Sequence, residues 1–180
     1  MINKLTPLLL LALPASAAST FTNAVDTDFN NAGNWDSGLP TDATAEGIID
    51  AGATATMSAS YLMANGGSPS VTDIIVNGTL NTGANELQLR SGAVPRTSDL
   101  TIGATGILNV DSGGTIDIAG AAADVFVNGG ALNFLNGSNA QISKALEVLN
   151  GGTLSLGATS GWVGFLGDEL VIGDASNLAF

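Results

Sequence analysis

The residues best suited to chemistry are acidic and lie near the start of the chain, in the segment DTDFNNAGNWD. Asp26, Asp28 and Asn30 have the spacing of the first, third and fifth ligands of a calcium loop, and Asn34 and Asp36 follow them. The glycine and the bidentate glutamate that complete such a loop are both missing. Two interpretations stay open: a structural calcium site, or a turn-rich cap without metal.

Acidic residues further along the chain are the candidates for catalysis. The chain has no histidine and no cysteine, which excludes Ser-His-Asp and Cys-His nucleophiles, disulfides and His-based zinc sites. Glycoside hydrolysis needs only two carboxylates about 5–9 Å apart. Asp111 with Asp117 is one candidate pair, and Asp73, Asp99 and Asp124 are the others. The last three recur at equivalent positions, which favours a solvated structural ladder, and we therefore expect no enzyme activity.

The charge balance restricts the partners. Four Lys and Arg residues stand against sixteen Asp and Glu residues, a formal net charge of −12. Such a chain repels phosphate backbones, so a nucleic-acid partner is not expected. The basic residues beyond the first few positions are Arg90, Arg96 and Lys144, and they are too scattered to favour a polysaccharide lyase.

The N-terminus has the pattern of an export signal. Lys4 precedes the apolar run LTPLLLLALP, and an A-x-A cleavage motif ends at Ala17. The pattern predicts a signal peptide over residues 1–18. The apolar run is too short to span a bilayer, and no later segment is apolar enough, so we expect no membrane span in the mature chain.

The rest of the chain repeats with a period of about two dozen residues. Five segments share an apolar alternation, a glycine-containing turn and a leucine: DIIVNGTLNTG, DLTIGATGILNV, DVFVNGGALNF, LEVLNGGTLSLG and ELVIGDASNLAF. The leucines are spaced by 28, 24, 22 and 24 residues: Leu80, Leu108, Leu132, Leu154 and Leu178. Alternation with a period of two predicts short strands.

Two all-β folds fit these strands. Asn-Gly turns favour an antiparallel β-sandwich, whereas recurrence of like residues in phase favours a right-handed parallel β-helix, or solenoid. Three short strands and three corners need about 22–26 residues, which matches the spacing of the repeat. We predict the solenoid, with residues 19–45 as its N-terminal cap and 46–180 as its coils. The chain stops within a repeat, at SNLAF, and we expect it to be part of a longer protein.

Three asparagines occupy the same corner phase, each before a glycine: Asn77, Asn128 and Asn150. Stacked coils would bring their amides together into a ladder. Simple turn residues are the alternative interpretation.

The two tryptophans raise a choice between binding and packing. Trp35 could stack on a sugar, but its neighbours Phe21, Phe29 and Leu39 favour a hydrophobic lid on the first coil. Trp162 and Phe165 lie where extra residues, TSGWVGFLGDE, interrupt the repeat. An inserted loop is a common place for a ligand contact, with core packing as the default.

Two motifs resemble those of secreted bacterial β-solenoid proteins of the autotransporter-associated β-strand repeat type. The first is an N-x-W-x-x-G-x-P-x-x-x-D segment with Trp35, Gly38, Pro40 and Asp42. The second is a glycine and leucine rhythm with Gly152, Leu154, Leu156 and Gly161. The resemblance implies an adhesin or passenger-like protein, extracellular or on the outer surface of a diderm bacterium. It brings no catalytic residues.

The sequence therefore predicts a secreted or cell-surface structural or adhesive solenoid segment without catalysis. A carbohydrate-binding or carbohydrate-cleaving β-helix module is the alternative. The expected partners are surface glycans or other cell-surface components, and the one expected cofactor is structural calcium.

Overall fold

The computed structural model describes residues 18–41, 46–64, 73–90, 99–120, 123–157, 163–165, 169–173 and 176–179. These residues form β-strands, one 3-10 turn (Ala32–Asn34) and no α-helix. The strands in chain order are β1 (Ser19–Phe21), β2 (Glu46–Ile49), β3 (Thr54–Thr56), β4 (Tyr61–Ala64), β5 (Asp73–Val76), β6 (Thr79–Asn81), β7 (Glu86–Arg90), β8 (Leu100–Ile102), β9 (Ile107–Val110), β10 (Thr115–Ala119), β11 (Val125–Asn128), β12 (Ala131–Phe134), β13 (Asn139–Ile142), β14 (Ala145–Leu149), β15 (Thr153–Leu156), β16 (Val163–Phe165), β17 (Glu169–Ile172) and β18 (Asn177–Ala179).

The strands form three parallel sheets that run along the molecule. Sheet A has the order β1-β2-β5-β8-β11-β14-β17, sheet B the order β3-β6-β9-β12-β15-β18, and sheet C the order β4-β7-β10-β13-β16. Each coil takes one strand from each sheet, so that β2, β3 and β4 make the first coil and β14, β15 and β16 the fifth. The parallel β-solenoid is confirmed, and the antiparallel sandwich is wrong.

The register gives the length of each coil. Val125 pairs with Leu146, a separation of 21 residues, whereas Glu86 pairs with Thr115, a separation of 29 residues. The range is wider than the predicted 22–26 because the corners differ in length while the strands stay at three to five residues.

The repeated leucines stack in one column of sheet B. Leu80 pairs with Leu108, then Leu132, Leu154 and Leu178 follow in register. The first four are buried, and burying each leucine side chain contributes about 1.5–3 kcal/mol. The column is the one that the 24-residue spacing predicted.

A second column consists of glycines at the corner before sheet B. Gly78, Gly106, Gly130 and Gly152 each begin the approach to a sheet B strand. A Cβ on Gly106 would lie 1.9 Å from the carbonyl oxygen of Val76. Only glycine lets the backbones of neighbouring coils come this close.

Four aromatic rings cover the N-terminal end of the first coil. Trp35 makes edge-to-face contacts with Phe21 and Phe29, at ring-centroid distances of 5.2 and 5.1 Å, and Phe29 contacts Tyr61 at 5.1 Å. Trp35 is only 4% exposed, and its Nε1 donates to the carbonyl of Phe29 at 2.8 Å. A ring buried in this way has no face for a sugar, so Trp35 belongs to the hydrophobic lid.

Backbone pairing attaches this segment to the coil. β1 pairs in parallel with β2, and Asp28 forms a parallel bridge with Thr56 of β3. The Tyr61 hydroxyl donates to the carbonyl of Pro40, and burial raises the pKa of Tyr61 to about 12.

Residues 1–17 of the predicted signal peptide lie outside the described residues. In the part of the chain that is described, no helix has the length and apolar character needed to cross a membrane.

Candidate functional site

Asn34 is the centre of the acidic loop. Its Oδ1 accepts the backbone N–H groups of Val25 and Asp26 at 2.9 and 3.0 Å. Its Nδ2 donates to Asp26 Oδ1 at 2.6 Å and to the carbonyl of Asp28 at 2.8 Å. Asn34 is fully buried, so one side chain satisfies four polar groups that would otherwise be unpaired.

The other residues of the loop point their oxygens at N–H groups. Asp26 Oδ1 accepts from the N–H of Asp28 at 2.8 Å, and Asp28 Oδ1 accepts from the N–H of Asn30 at 2.9 Å. Asn30 Oδ1 accepts the N–H groups of Ser58 and Ala59 in the first coil, at 3.0 and 3.2 Å. The hydrogen bonds from Asn34 and from the Asp28 N–H lower the pKa of Asp26 below its usual range.

These bonds bear on the predicted calcium site. Asp26, Asp28, Asn30 and Asn34 share one loop, but Asp36 Oδ1 instead accepts the N–H of Thr20 at 2.8 Å. The described residues contain no group of three or more acidic, His or Cys side chains arranged around a common point. A calcium ion would have to displace the N–H donors that hold the loop. The calcium site stays a prediction, while the structure already accounts for these residues as hydrogen-bond acceptors.

Asp73, Asp99 and Asp124 form a ladder at the start of sheet A. Asp73 Oδ1 accepts the N–H of Asp99 at 2.8 Å, and Asp99 Oδ1 accepts the N–H of Asp124 at 3.0 Å. Asp124 Oδ1 accepts the N–H of Ala145 at 3.0 Å, and its Oδ2 pairs with Lys144 at 3.4 Å. Each carboxylate therefore joins one coil to the next.

The ladder is half-buried, so the solvated character expected from the sequence is wrong. Burial raises the pKa of Asp99, and the negative charge of Asp124 raises it further. The ladder forms because every coil begins with an acidic residue whose side chain reaches one coil spacing, about 4.8 Å, along the sheet.

An amide ladder runs along the outer face of sheet B. Asn109 Nδ2 donates to Asn81 Oδ1 at 2.8 Å, and Asn133 Nδ2 donates to Asn109 Oδ1 at 2.9 Å. Each of these residues directly follows a leucine of the repeat. That shared position is the sequence signal that could have revealed the ladder.

The ladder predicted for the corner asparagines is interrupted. Gly103, and not an asparagine, lies in register between Asn77 and Asn128. Only the last pair forms, with Asn150 Nδ2 donating to Asn128 Oδ1 at 2.5 Å.

Asp117 is the most buried acidic side chain among the described residues, at 8% exposure. It lies on the outer face of sheet C, where Oδ2 accepts from Gln88 Nε2 at 2.5 Å and from Arg90 Nη2 at 2.9 Å. Its Oδ1 is buried and has no hydrogen-bond partner. Such an oxygen costs about 1–3 kcal/mol when no donor satisfies it.

A pocket of about 200 Å³ lies beside Asp117. Its lining is almost entirely polar: Glu86, Thr115, Asp117, Asn139, Ala140 and Gln141. Gln88 Nε2 also donates to Glu86 Oε1, at 3.4 Å, so its amide lies between the two carboxylates. Glu86 is the functional candidate that sequence reasoning missed, because Glu86 and Asp117 meet only through the register of β7 and β10.

Asp111 belongs to a different pocket. Its Oδ2 accepts the N–H of Gly83 at 2.8 Å. With Ser112, Leu135 and Asn136 it lines an open cavity of about 640 Å³ at the corner between sheets B and C. Asp111 and Asp117 thus do not share a pocket as the candidate hydrolase pair would require.

The remaining predicted contacts fall where the structure is silent. Trp162 and Arg96 lie outside the described residues. The backbone of Phe165 pairs with Ile142 in sheet C, and its side chain is outside the description.

Comparisons with known proteins identify no relative. No protein-family model, no curated protein and no solved structure matches the chain. Function is therefore argued from the geometry alone.

Proposed function

We propose that this protein is a secreted or cell-surface structural and adhesive solenoid segment that acts without catalysis. The observation that carries the proposal is the pair of in-register ladders, the carboxylates of sheet A and the amides of sheet B. Their polar side chains are engaged in joining coils, as expected of a scaffold.

The ladders support a rigid rod. Asp99 and Asn109 each both accept and contribute a bond to a neighbouring coil, so a coil is held by side chains as well as by backbone pairing. Repeats that contact only their neighbours depend on such interfaces for stability. The net charge of −12 keeps an exported rod soluble.

The export part of the proposal is tested by expressing the whole chain in a diderm bacterium. We expect the mature protein to begin at residue 18 or 19 and to be digested by protease added to intact cells. Leu9→Arg breaks the apolar run and should leave the protein inside with its N-terminus intact. Wild-type protein that stays inside, uncleaved, would refute export.

Adhesion and catalysis are separated by a second experiment. Beads coated with the protein should be retained on glycan-coated surfaces under flow, while the soluble protein releases no reducing ends from the same glycans. Release of reducing ends that Asp117→Asn abolishes would replace the proposal by an enzyme.

A second candidate function is carbohydrate binding at the pocket beside Asp117. The specific observation in its favour is the buried, unpaired Oδ1 in a pocket with further carboxylate, hydroxyl and amide groups. Sugar hydroxyl groups donate to carboxylates and accept from amides, so a neutral glycan matches this lining.

Calorimetric titration with cellohexaose, xylohexaose and maltohexaose tests the candidate. One of these probes should bind, and Gln141→Ala and Glu86→Gln should weaken binding. Ser112→Ala, in the corner cavity, is the matched control and should leave binding unchanged. Absence of heat with all three probes at millimolar concentration, or equal binding by the pocket variants, would rule the pocket out.

A further inference from the structure

The described residues include four Asn-Gly pairs, which the sequence does not distinguish. They begin at Asn77, Asn128, Asn136 and Asn150. A fifth pair, at Asn65, lies outside the described residues. Asn-Gly is the sequence in which an asparagine side chain is most easily attacked by its own backbone, because glycine carries no side chain to hinder the approach.

The reaction needs no cofactor. The backbone nitrogen of the glycine forms a bond to Cγ of the asparagine and loses its proton. The bond from Cγ to the side-chain nitrogen breaks, and ammonia leaves, which closes a cyclic imide. Water then opens the ring at either carbonyl, and the product is aspartate or isoaspartate.

Two of the four glycine nitrogens are held by hydrogen bonds. Gly78 donates to the carbonyl of Ile49, and Gly129 donates to the carbonyl of Leu149, each at 2.9 Å. Both acceptors belong to a neighbouring coil. The nitrogen has to break this bond, and the coils have to separate locally, before it can reach the asparagine side chain.

The other two glycine nitrogens are not held. Within the described part of the chain, the N–H groups of Gly137 and Gly151 donate to no acceptor. Asn136 and Asn150 are both exposed, so water reaches the side-chain amide and can carry away the proton.

We infer that Asn136 and Asn150 are sites of spontaneous deamidation and that the folded solenoid protects Asn77 and Asn128. At Asn150 the product replaces an amide donor by a carboxylate that faces Asn128 Oδ1, which removes the 2.5 Å hydrogen bond between the two coils. Each event also adds a negative charge to an already acidic rod.

Peptide mapping by mass spectrometry tests the inference on the wild-type protein. The folded chain is incubated at mildly alkaline pH, and aspartate and isoaspartate are quantified at each asparagine over time. Conversion at Asn77 and Asn128 should be about two- to tenfold slower than at Asn136 and Asn150, the factor that one backbone hydrogen bond sets.

The same chain unfolded in urea provides the control. There the four sites should react at similar rates, because each asparagine is followed by glycine and the coils are gone. Equal rates in the folded protein, or faster conversion at Asn77 or Asn128, would overturn the inference.

Discussion

The two ends of the solenoid present the same kind of surface, a layer of inward-facing apolar residues, in opposite states. At the N-terminal end, Phe21, Phe29 and Trp35 cover the first coil and are buried. At the other end, Leu170, Ile172 and Leu178 are 45%, 39% and 40% exposed.

The exposed residues occupy core positions of the repeat. Leu170 and Ile172 are in register with the buried Leu146 and Val148, and Leu178 with the buried Leu154. The comparison teaches that a core position of a solenoid is buried by the layer that covers it and not by its own sequence.

The largest expected effect is at the covered end. Trp35→Ala removes a buried ring between two aromatic neighbours and should lower the free energy of unfolding by about 3–5 kcal/mol. Leu170→Ala, at the exposed end, should cost less than ~1 kcal/mol, because over half of the side chain is in the layer below and the rest is already in water. Urea unfolding followed by far-ultraviolet circular dichroism measures both; equal losses would contradict the difference between the ends.

One column allows the comparison with chemistry held constant. Leu154→Ala should cost about 2–5 kcal/mol, since the leucine is 2% exposed. Leu178→Ala, the next leucine of the same column, should cost ~1 kcal/mol, because water already contacts its side chain. The midpoints of urea unfolding give both values, and a larger loss at Leu178 would show that a covering layer is not what makes the core.

The polar half of the cap gives a smaller effect. Asn34→Ala leaves the N–H groups of Val25 and Asp26 without their acceptor, and a buried unpaired group costs about 1–3 kcal/mol. Asn177→Ala is the control at the exposed end and should change stability by less than ~0.5 kcal/mol. Thermal unfolding of both variants checks the prediction, which fails if Asn34→Ala melts with the wild type.

The smallest effects concern pH, and the two regions should respond in opposite directions. The pKa of Asp26 is lowered from 3.8 by hydrogen bonds to the charged form, so its contribution to stability is present above pH 3.8 and is lost as the pH falls below that value. The pKa of Asp99 is raised from 3.8 by burial, so its charge disfavours folding at neutral pH and the folded state gains as the pH falls towards 3.8.

Asparagine variants separate the two contributions. Asp26→Asn should flatten the loss of stability below pH 3.8, and Asp99→Asn should remove a gain just above it. Unfolding free energies measured from neutral pH to pH 3 give both slopes. Identical pH profiles for the two variants and the wild type would show that neither carboxyl group differs between the folded and unfolded states.

Much of the fold could be predicted because it depends on short-range rules. Alternation in segments such as GTIDI fixes which residues face inward, and Ile116 and Ile118 are both buried. A leucine every 22–28 residues fixes how coils stack, since like residues meet when parallel strands are in register.

The candidate sites could be predicted only in part. The role of Trp35 followed from its aromatic neighbours. Glu86 and Asp117, however, are brought together by a register of 29 residues, and an unpredicted Gly103 separates Asn77 from Asn128.

The sequence by itself determined the strands, their inward faces and the column of leucines, because a side-chain period of two and a constant repeat need no knowledge of the corners. Only the tertiary structure decided which polar groups meet across coils and which apolar residues are covered. Both depend on corner length, and one residue more or less in a corner moves every later side chain relative to the coil beneath it.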